Sequence, residues 1–120
     1  MAFPLIAFSS SVKLATVLKD VYGQTNSSVI ITCYSQVYIR NEKNTPINVT
    51  LGTKICAENQ GCDGKQFDYL IKEHQEFSKG YSTVFMPTFN RPGQKTLSCI
   101  NSIDGNIMAR EAKYSKAYIS

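Results

Sequence analysis

The chain has no tryptophan, a single histidine and no apolar run near the ~20 residues a membrane-spanning helix needs. With His74 alone, a mechanism built on two imidazoles is excluded. No C-x-x-C pair accompanies it, so no metal is expected. Neither G-x-x-x-x-G-K-S/T nor G-x-G-x-x-G occurs, which removes the common phosphate and dinucleotide cradles, and no cofactor is expected. Lysine and arginine are scattered, and a formal charge of +4 describes a solvated surface rather than a nucleic-acid arm.

What is present is an ordinary globular composition, 42% hydrophobic and 18% charged, which disfavours disorder. The 120 residues make room for one domain. Seven Tyr and six Phe favour a β-rich fold. Four cysteines, Cys33, Cys56, Cys62 and Cys99, are an even set that suits two disulfides and an oxidising, secreted setting. Four cysteines allow three connectivities, and the sequence does not choose among them. Cys33–Cys99 with Cys56–Cys62 is preferred, because the first joins two strand candidates and the second closes the short loop "CAENQGC".

The segment 1–23 is read as a leader, with 24–120 as the single domain. As a signal peptide it lacks the charged start, and Lys13, Lys19 and Asp20 interrupt its apolar run. An amphipathic helix through Val12, Ala15, Leu18 and Val21, or a disordered tail, are the other readings. Asn26-Ser27-Ser28 and Asn48-Val49-Thr50 are sequons, making Asn26 and Asn48 candidate glycosylation sites in a secreted chain.

From residue 28 the pattern is that of strands. "SVIITCYSQVYI" places Ile31, Cys33, Ser35, Val37 and Ile39 on one face, as one long strand or a hairpin bent near Ser35-Gln36. Asn44-Thr45-Pro46 is a helix-start signal, and Ile47, Leu51 and Ile55 follow at i, i+4, i+8. That spacing predicts a helix, against the β-branched Val49, Thr50 and Thr53; a strand over 47–51 is the alternative. Gln66–Lys72, "YSTVFMPTF", "QKTLSCIN" and "NIMAREAKY" are further strands, the last two joined by a hairpin turn at Asp104-Gly105. The expected fold is α+β, one helix packed on an antiparallel sheet.

His74 has Glu73 and Glu76 as neighbours, and an exposed polar run explains "KEHQEF" better than an acid–base pair. The aromatics Tyr34, Tyr38, Phe67, Tyr69, Tyr81, Phe85 and Phe89 could stack bases beside Lys65, Lys72 and Lys79. At period two, core burial accounts for most of them.

"GKQFDYLIKEHQEF" followed by "YSTVFMPTFNRPGQKTLSCINSIDGNIMAREAKY" resembles the second half of the small fungal guanyl-specific ribonucleases. Tyr81, Phe85, Pro87, Pro92, Gly93, Asn101 and Gly105 carry the similarity. The chain is more similar still to the RNase-like secreted effectors of powdery mildew fungi. The resemblance implies a microbial ribonuclease-like fold. It also implies that catalysis is lost: the enzymes' glutamate, arginine and histidine fall where this chain has Ser82–Val84, Gln94–Thr96 and Ala109–Lys113. Proton transfer without those groups loses roughly 10²-fold or more.

The expected function is therefore a secreted, catalytically inactive effector, a virulence protein that binds host plant proteins, an immune receptor among them, or RNA. Tyr69, His74, Tyr81, Lys95 and Arg110 are the binding candidates, with no catalytic residue assigned. An active small endoribonuclease using His74 with Glu76 or Glu111, and a disulfide-stapled toxin or inhibitor unrelated to ribonucleases, are the alternatives.

Overall fold

The computed structural model describes residues 10–120. Eight strands make up its regular structure: β1 (Ser11–Leu18), β2 (Val21–Gly23), β3 (Ile31–Arg40), β4 (Ile47–Ala57), β5 (Gly61–Ile71), β6 (Glu76–Phe85), β7 (Gly93–Gly105) and β8 (Ala109–Ile119). Among the described residues there is no helix, hence none long and apolar enough to cross a membrane.

The expected α+β fold is corrected to an all-β one, and the helix at 47–55 is where the reading failed. Ile47, Val49, Leu51, Thr53, Ile55 and Ala57 are all buried, a strict period of two along β4. Every second member of that series also falls at i, i+4, i+8, so Ile47, Leu51 and Ile55 fit both templates. Val49 and Thr53 break the tie, since their branched side chains pack well on a pleated surface. Pro46 precedes the strand, where its missing N–H removes no ladder bond. The helical reading of Val12, Ala15, Leu18 and Val21 fails likewise: residues 11–23 supply β1 and β2.

The strands form two sheets, β1-β3-β6 and β2-β8-β7-β4-β5. Neighbours pair antiparallel, except that β2 runs parallel to β8. The first strand of the chain is thus divided: β1 lies on the edge of one sheet, and after Lys19-Asp20 the chain crosses to edge the other. Cys33 on β3 and Cys99 on β7 join the sheets through a disulfide, Cα–Cα 6.4 Å, and both are fully buried. Strand order, divided edge strand and intersheet bridge follow the immunoglobulin plan, without its usual core tryptophan. The ribonuclease-like resemblance is overturned with the helix: there is no single sheet under a helix, and Tyr81, Phe85 and Asn101 belong to opposite layers of a sandwich.

The core has two apolar halves. Val29, Ile31, Ile55, Phe89, Leu97 and Ile119 surround the Cys33–Cys99 bridge. Val37, Ile39, Ile47, Leu51, Ile71 and Ile103 fill the other half. Between them lies a polar layer centred on Asn101, 1% exposed. Its Oδ1 accepts from Ser35 Oγ at 2.9 Å and from Thr53 Oγ1 at 2.5 Å, and its Nδ2 donates to Thr16 Oγ1 at 2.7 Å. Thr53 spends its proton on Asn101, so Tyr81 OH donates to Thr53 Oγ1, at 2.7 Å. One amide therefore ties β1, β3, β4, β6 and β7 in a fixed register, because a buried amide without partners is strongly disfavoured.

A second asparagine orders one end. Asn41 Nδ2 donates to the carbonyls of Thr45 and Lys72, at 3.1 and 3.0 Å, and Oδ1 accepts from the Lys43 N–H at 3.1 Å. It fastens the β3–β4 loop to the β5–β6 turn.

Candidate functional site

The sequence-derived binding residues do not converge. Tyr69 and Tyr81 point inward from β5 and β6 and join Phe67 and Phe77 where the sandwich is open between these two edge strands. Tyr69 lies 4.7 Å from Phe77 and Phe67 5.2 Å from Tyr81, between ring centroids. Lys79 Nζ sits 5.4 Å from the Phe67 ring centre and 5.7 Å from that of Tyr69, a cation–π cap over the cluster. Lys65 crosses the same opening and donates to the Ser82 carbonyl at 2.6 Å.

His74 occupies the turn after β5 with φ of 52°, a left-handed conformation that histidine tolerates better than branched residues do. Its Nε2 donates to Asn44 Oδ1 at 3.1 Å. Glu76 instead faces Arg40, at 3.8 Å, and Tyr38, whose hydroxyl its carboxylate holds protonated above the ordinary range. Lys95 is half-buried at the opposite end, beside Glu58, Phe89 and Arg91. It is about 23 Å of strand from Arg110's rung on β7. Asn26 and Asn48 are both exposed, Asn26 in a left-handed turn with φ 63° and Asn48 on β4. The disulfides are Cys33–Cys99 and Cys56–Cys62, and no described cysteine is free.

Arg110 alone among the five lies on a broad open surface, the outer face of the five-stranded sheet. Its rungs follow from the register. Arg110, Ser102, Gly52 and Gln66 lie side by side, then Ala112, Ile100, Lys54 and Gly64, then Tyr114, Ser98, Cys56 and Cys62. Ser102 and Gly52 beside Arg110 are short, while Lys54 and Ile100 on the next rung and Arg110 itself are long. A shallow depression of about 530 Å³ results, lined by Lys54, Ile100, Ser102, Asp104, Met108 and Arg110. Next to its Ser102 wall, a Cβ on Gly52 would stand 3.1 Å from Ser102 Oγ.

Met108 in this lining is 75% exposed; further along the same face Tyr114 is 69% exposed, and Tyr22, about 27 Å of strand from Arg110, 79%. Tyr22 stacks on Tyr118 across the parallel β2–β8 pair, centroids 5.2 Å apart. Neither Lys54 nor Arg110 is engaged in an ion pair among the described residues. Asp20 anchors the tyrosine end. Its Oδ1 accepts from Ser115 Oγ at 2.5 Å and from the Lys116 N–H at 2.9 Å. The Ser115 hydroxyl first, and the Lys116 amide second, hold its carboxyl below the usual aspartate range.

Sequence reasoning missed Tyr22, Tyr114, Tyr118 and Met108. The signal was the alternation Tyr114, Lys116, Tyr118 beyond the strand expected to close at 114; amphipathic side chains at period two on an outer face stay in water.

No protein-family model matches the chain, and no curated protein matches it. Solved structures do. The CARDB domain of a Pyrococcus furiosus protein, in complex with di-metal ions, is 11% identical, with 96% of this chain and 97% of that domain covered and a TM-score of 0.47. A PapD-like domain of human CEP192 is 10% identical over 100% of this chain and 93% of that one, TM-score 0.38. An Archaeoglobus fulgidus protein is 15% identical over 92% and 96%, TM-score 0.41. At scores below 0.5 these likenesses carry no argument about activity or ligands. Among the described residues of this chain, no group of three or more His, Cys, Asp or Glu is placed to hold a metal.

Proposed function

We propose that this chain is a secreted, non-enzymatic recognition module that binds a host protein through the outer face of its five-stranded sheet. The observation that carries the reading is a depression lined by Lys54, Arg110 and the exposed Met108, with exposed Tyr114 and, further along the same face, Tyr22. Tyrosine, methionine and arginine are the residue types enriched where proteins meet, since each supplies large contact area with a polar or adaptable end. Two disulfides in a small β domain support action in an oxidising setting. RNA is the weaker partner. A base-stacking platform needs free ring faces, and Tyr69 and Tyr81 spend theirs on Phe77 and Phe67.

The test is a photocrosslinking amino acid placed at Tyr114, and in a second protein at Tyr34 on the outer face of the three-stranded sheet. Both are applied to the cells among which the chain is secreted. The reading expects a discrete protein adduct from position 114, absent from position 34 and lost on adding R110E. Equal labelling from both faces, or an adduct indifferent to R110E, overturns it.

A further inference from the structure

We propose that the Cys56–Cys62 disulfide is a reversible redox-modification site, opened in the native protein by a dithiol reductant, while Cys33–Cys99 stays closed. The two bridges differ in access, one of the factors that governs exchange. Cys33 and Cys99 are 0% exposed, between the sheets. Cys56 and Cys62 are direct cross-strand partners at the end of the β4–β5 hairpin, with Cα atoms 4.1 Å apart. Cys62 is exposed and Cys56 half-buried. Exchange needs a thiolate to reach a sulfur in line with the S–S bond. Solvent reaches the hairpin bridge in the folded state, whereas the core bridge is reached only when the sandwich opens.

The chemistry balances with the dithiol as the sole co-reactant. Its thiolate attacks Cys62 Sγ, the S–S bond breaks, and Cys56 leaves as a thiolate. The reductant's second thiolate then attacks its own sulfur in the mixed disulfide and releases Cys62. Two electrons pass to the protein, the two cysteine thiolates take up protons according to pH, and the reductant departs as its internal disulfide.

Opening has a local consequence because of where the bridge sits. Gly61–Gln66 of β5 is exposed on both faces. Beyond its ladder to β4, little packing holds this half of the edge strand. The turn before it bends through two left-handed residues, Asn59 (φ 59°) and Gly61 (φ 78°). Without the bridge, residues 58–66 fray while the rest of the sandwich stays intact. The disulfide occupies the same outer-face rung as Ser98 and Tyr114, so oxidised and reduced forms present different faces.

The experiment treats folded protein with dithiothreitol, alkylates at intervals and maps the cysteines by peptide mass. Cys56 and Cys62 should be labelled at least about 10³-fold faster than Cys33 and Cys99, because access to the core bridge is limited by global opening. In strong denaturant that ratio should collapse. Amide exchange of residues 58–66 should rise on selective reduction, with β3 and β7 unchanged. A C56S/C62S protein should show the same fast exchange without reductant and no response to it. Comparable labelling of both pairs in the folded protein, or opening without faster exchange over 58–66, overturns the proposal.

Discussion

Replacing Asn101 with leucine tests whether the polar layer is held by satisfied hydrogen bonding or merely tolerated. The variant leaves the Ser35 and Thr53 hydroxyls without their acceptor and Thr16 without its donor, all three in buried residues. Each orphaned buried group costs about 1–3 kcal/mol, and the added apolar contact of leucine offsets part of that. A net loss of about 4 kcal/mol follows, a large share of the 5–15 kcal/mol typical of a domain. With an m-value of about 1.5 kcal/mol/M in urea, the midpoint should fall by roughly 2.5 M. A second protein, N101L/S35A/T53V/T16V, removes the asparagine and its three direct partners together, leaving only the part-buried Tyr81 hydroxyl to turn to water. Replacing both sides of a buried hydrogen bond by apolar groups is close to neutral, so it should return to within about 1 kcal/mol of the parent. Equilibrium unfolding followed by tyrosine fluorescence, disulfides intact, reads both. A single variant within 1 kcal/mol of the parent, or a quadruple variant as unstable as the single, refutes the reasoning.

Other outcomes follow from the same geometry. The Asp20 carboxyl titrates lower folded than unfolded, so its contribution is present above the unfolded value of about 3.9 and is lost as pH falls through the folded one. D20A should therefore lower Tm near neutrality and converge with the parent at the acid end of a melting series from pH 7 to 2. Gly105 has φ 122°, and a Cβ there would lie 2.3 Å from the Asn48 carbonyl oxygen. G105A should cost about 2–4 kcal/mol in chemical unfolding, against about 1 for G61A, where the turn is left-handed but open. A chain begun at Gln24 loses β1, β2 and the Thr16 partner of Asn101; it should show no cooperative melting transition, and a sharp one near the parent's Tm would contradict the account.

The strands were legible wherever branched and aromatic residues alternate, as in β3, where Ile31, Cys33, Ser35, Val37 and Ile39 face inward as their spacing indicates. The turn at Gly105 was legible for a different reason, its demand for positive φ. The preferred pairing, Cys33–Cys99 with Cys56–Cys62, is the one formed. The helix at 47–55 was misread because a period of four is contained in a period of two, and Asn44-Thr45-Pro46 supplied a start signal that also suits the approach to a strand. The family resemblance failed because a Tyr-rich strand, a Pro-Gly turn and a hairpin are common to many antiparallel folds. Asn101 stood out in the sequence only through that resemblance. Its real mark was a polar residue at the buried phase of Leu97, Cys99 and Ile103, which shows a satisfied site only once Thr16, Ser35 and Thr53 are seen around it. The outer face was invisible because it joins two hairpins, β4–β5 and β7–β8, and the short strand β2, which lie far apart in sequence.

The parallel clasp between β2 and β8 bears on how the molecule is made. Gly23 and Ser120 are stitched by the Ser120 N–H to the Gly23 carbonyl at 3.0 Å, and Thr25 N–H reaches the Ser120 carbonyl at 2.9 Å. A ribosome-bound nascent chain can zip β1 onto β3 early, yet it has nothing to dock β2 against until residue 120 has emerged. Loop closure on that scale is slow. The sandwich is thus completed only after most of the chain is available, leaving a long interval in which Cys33, waiting for Cys99, can be captured by Cys56 or Cys62 instead.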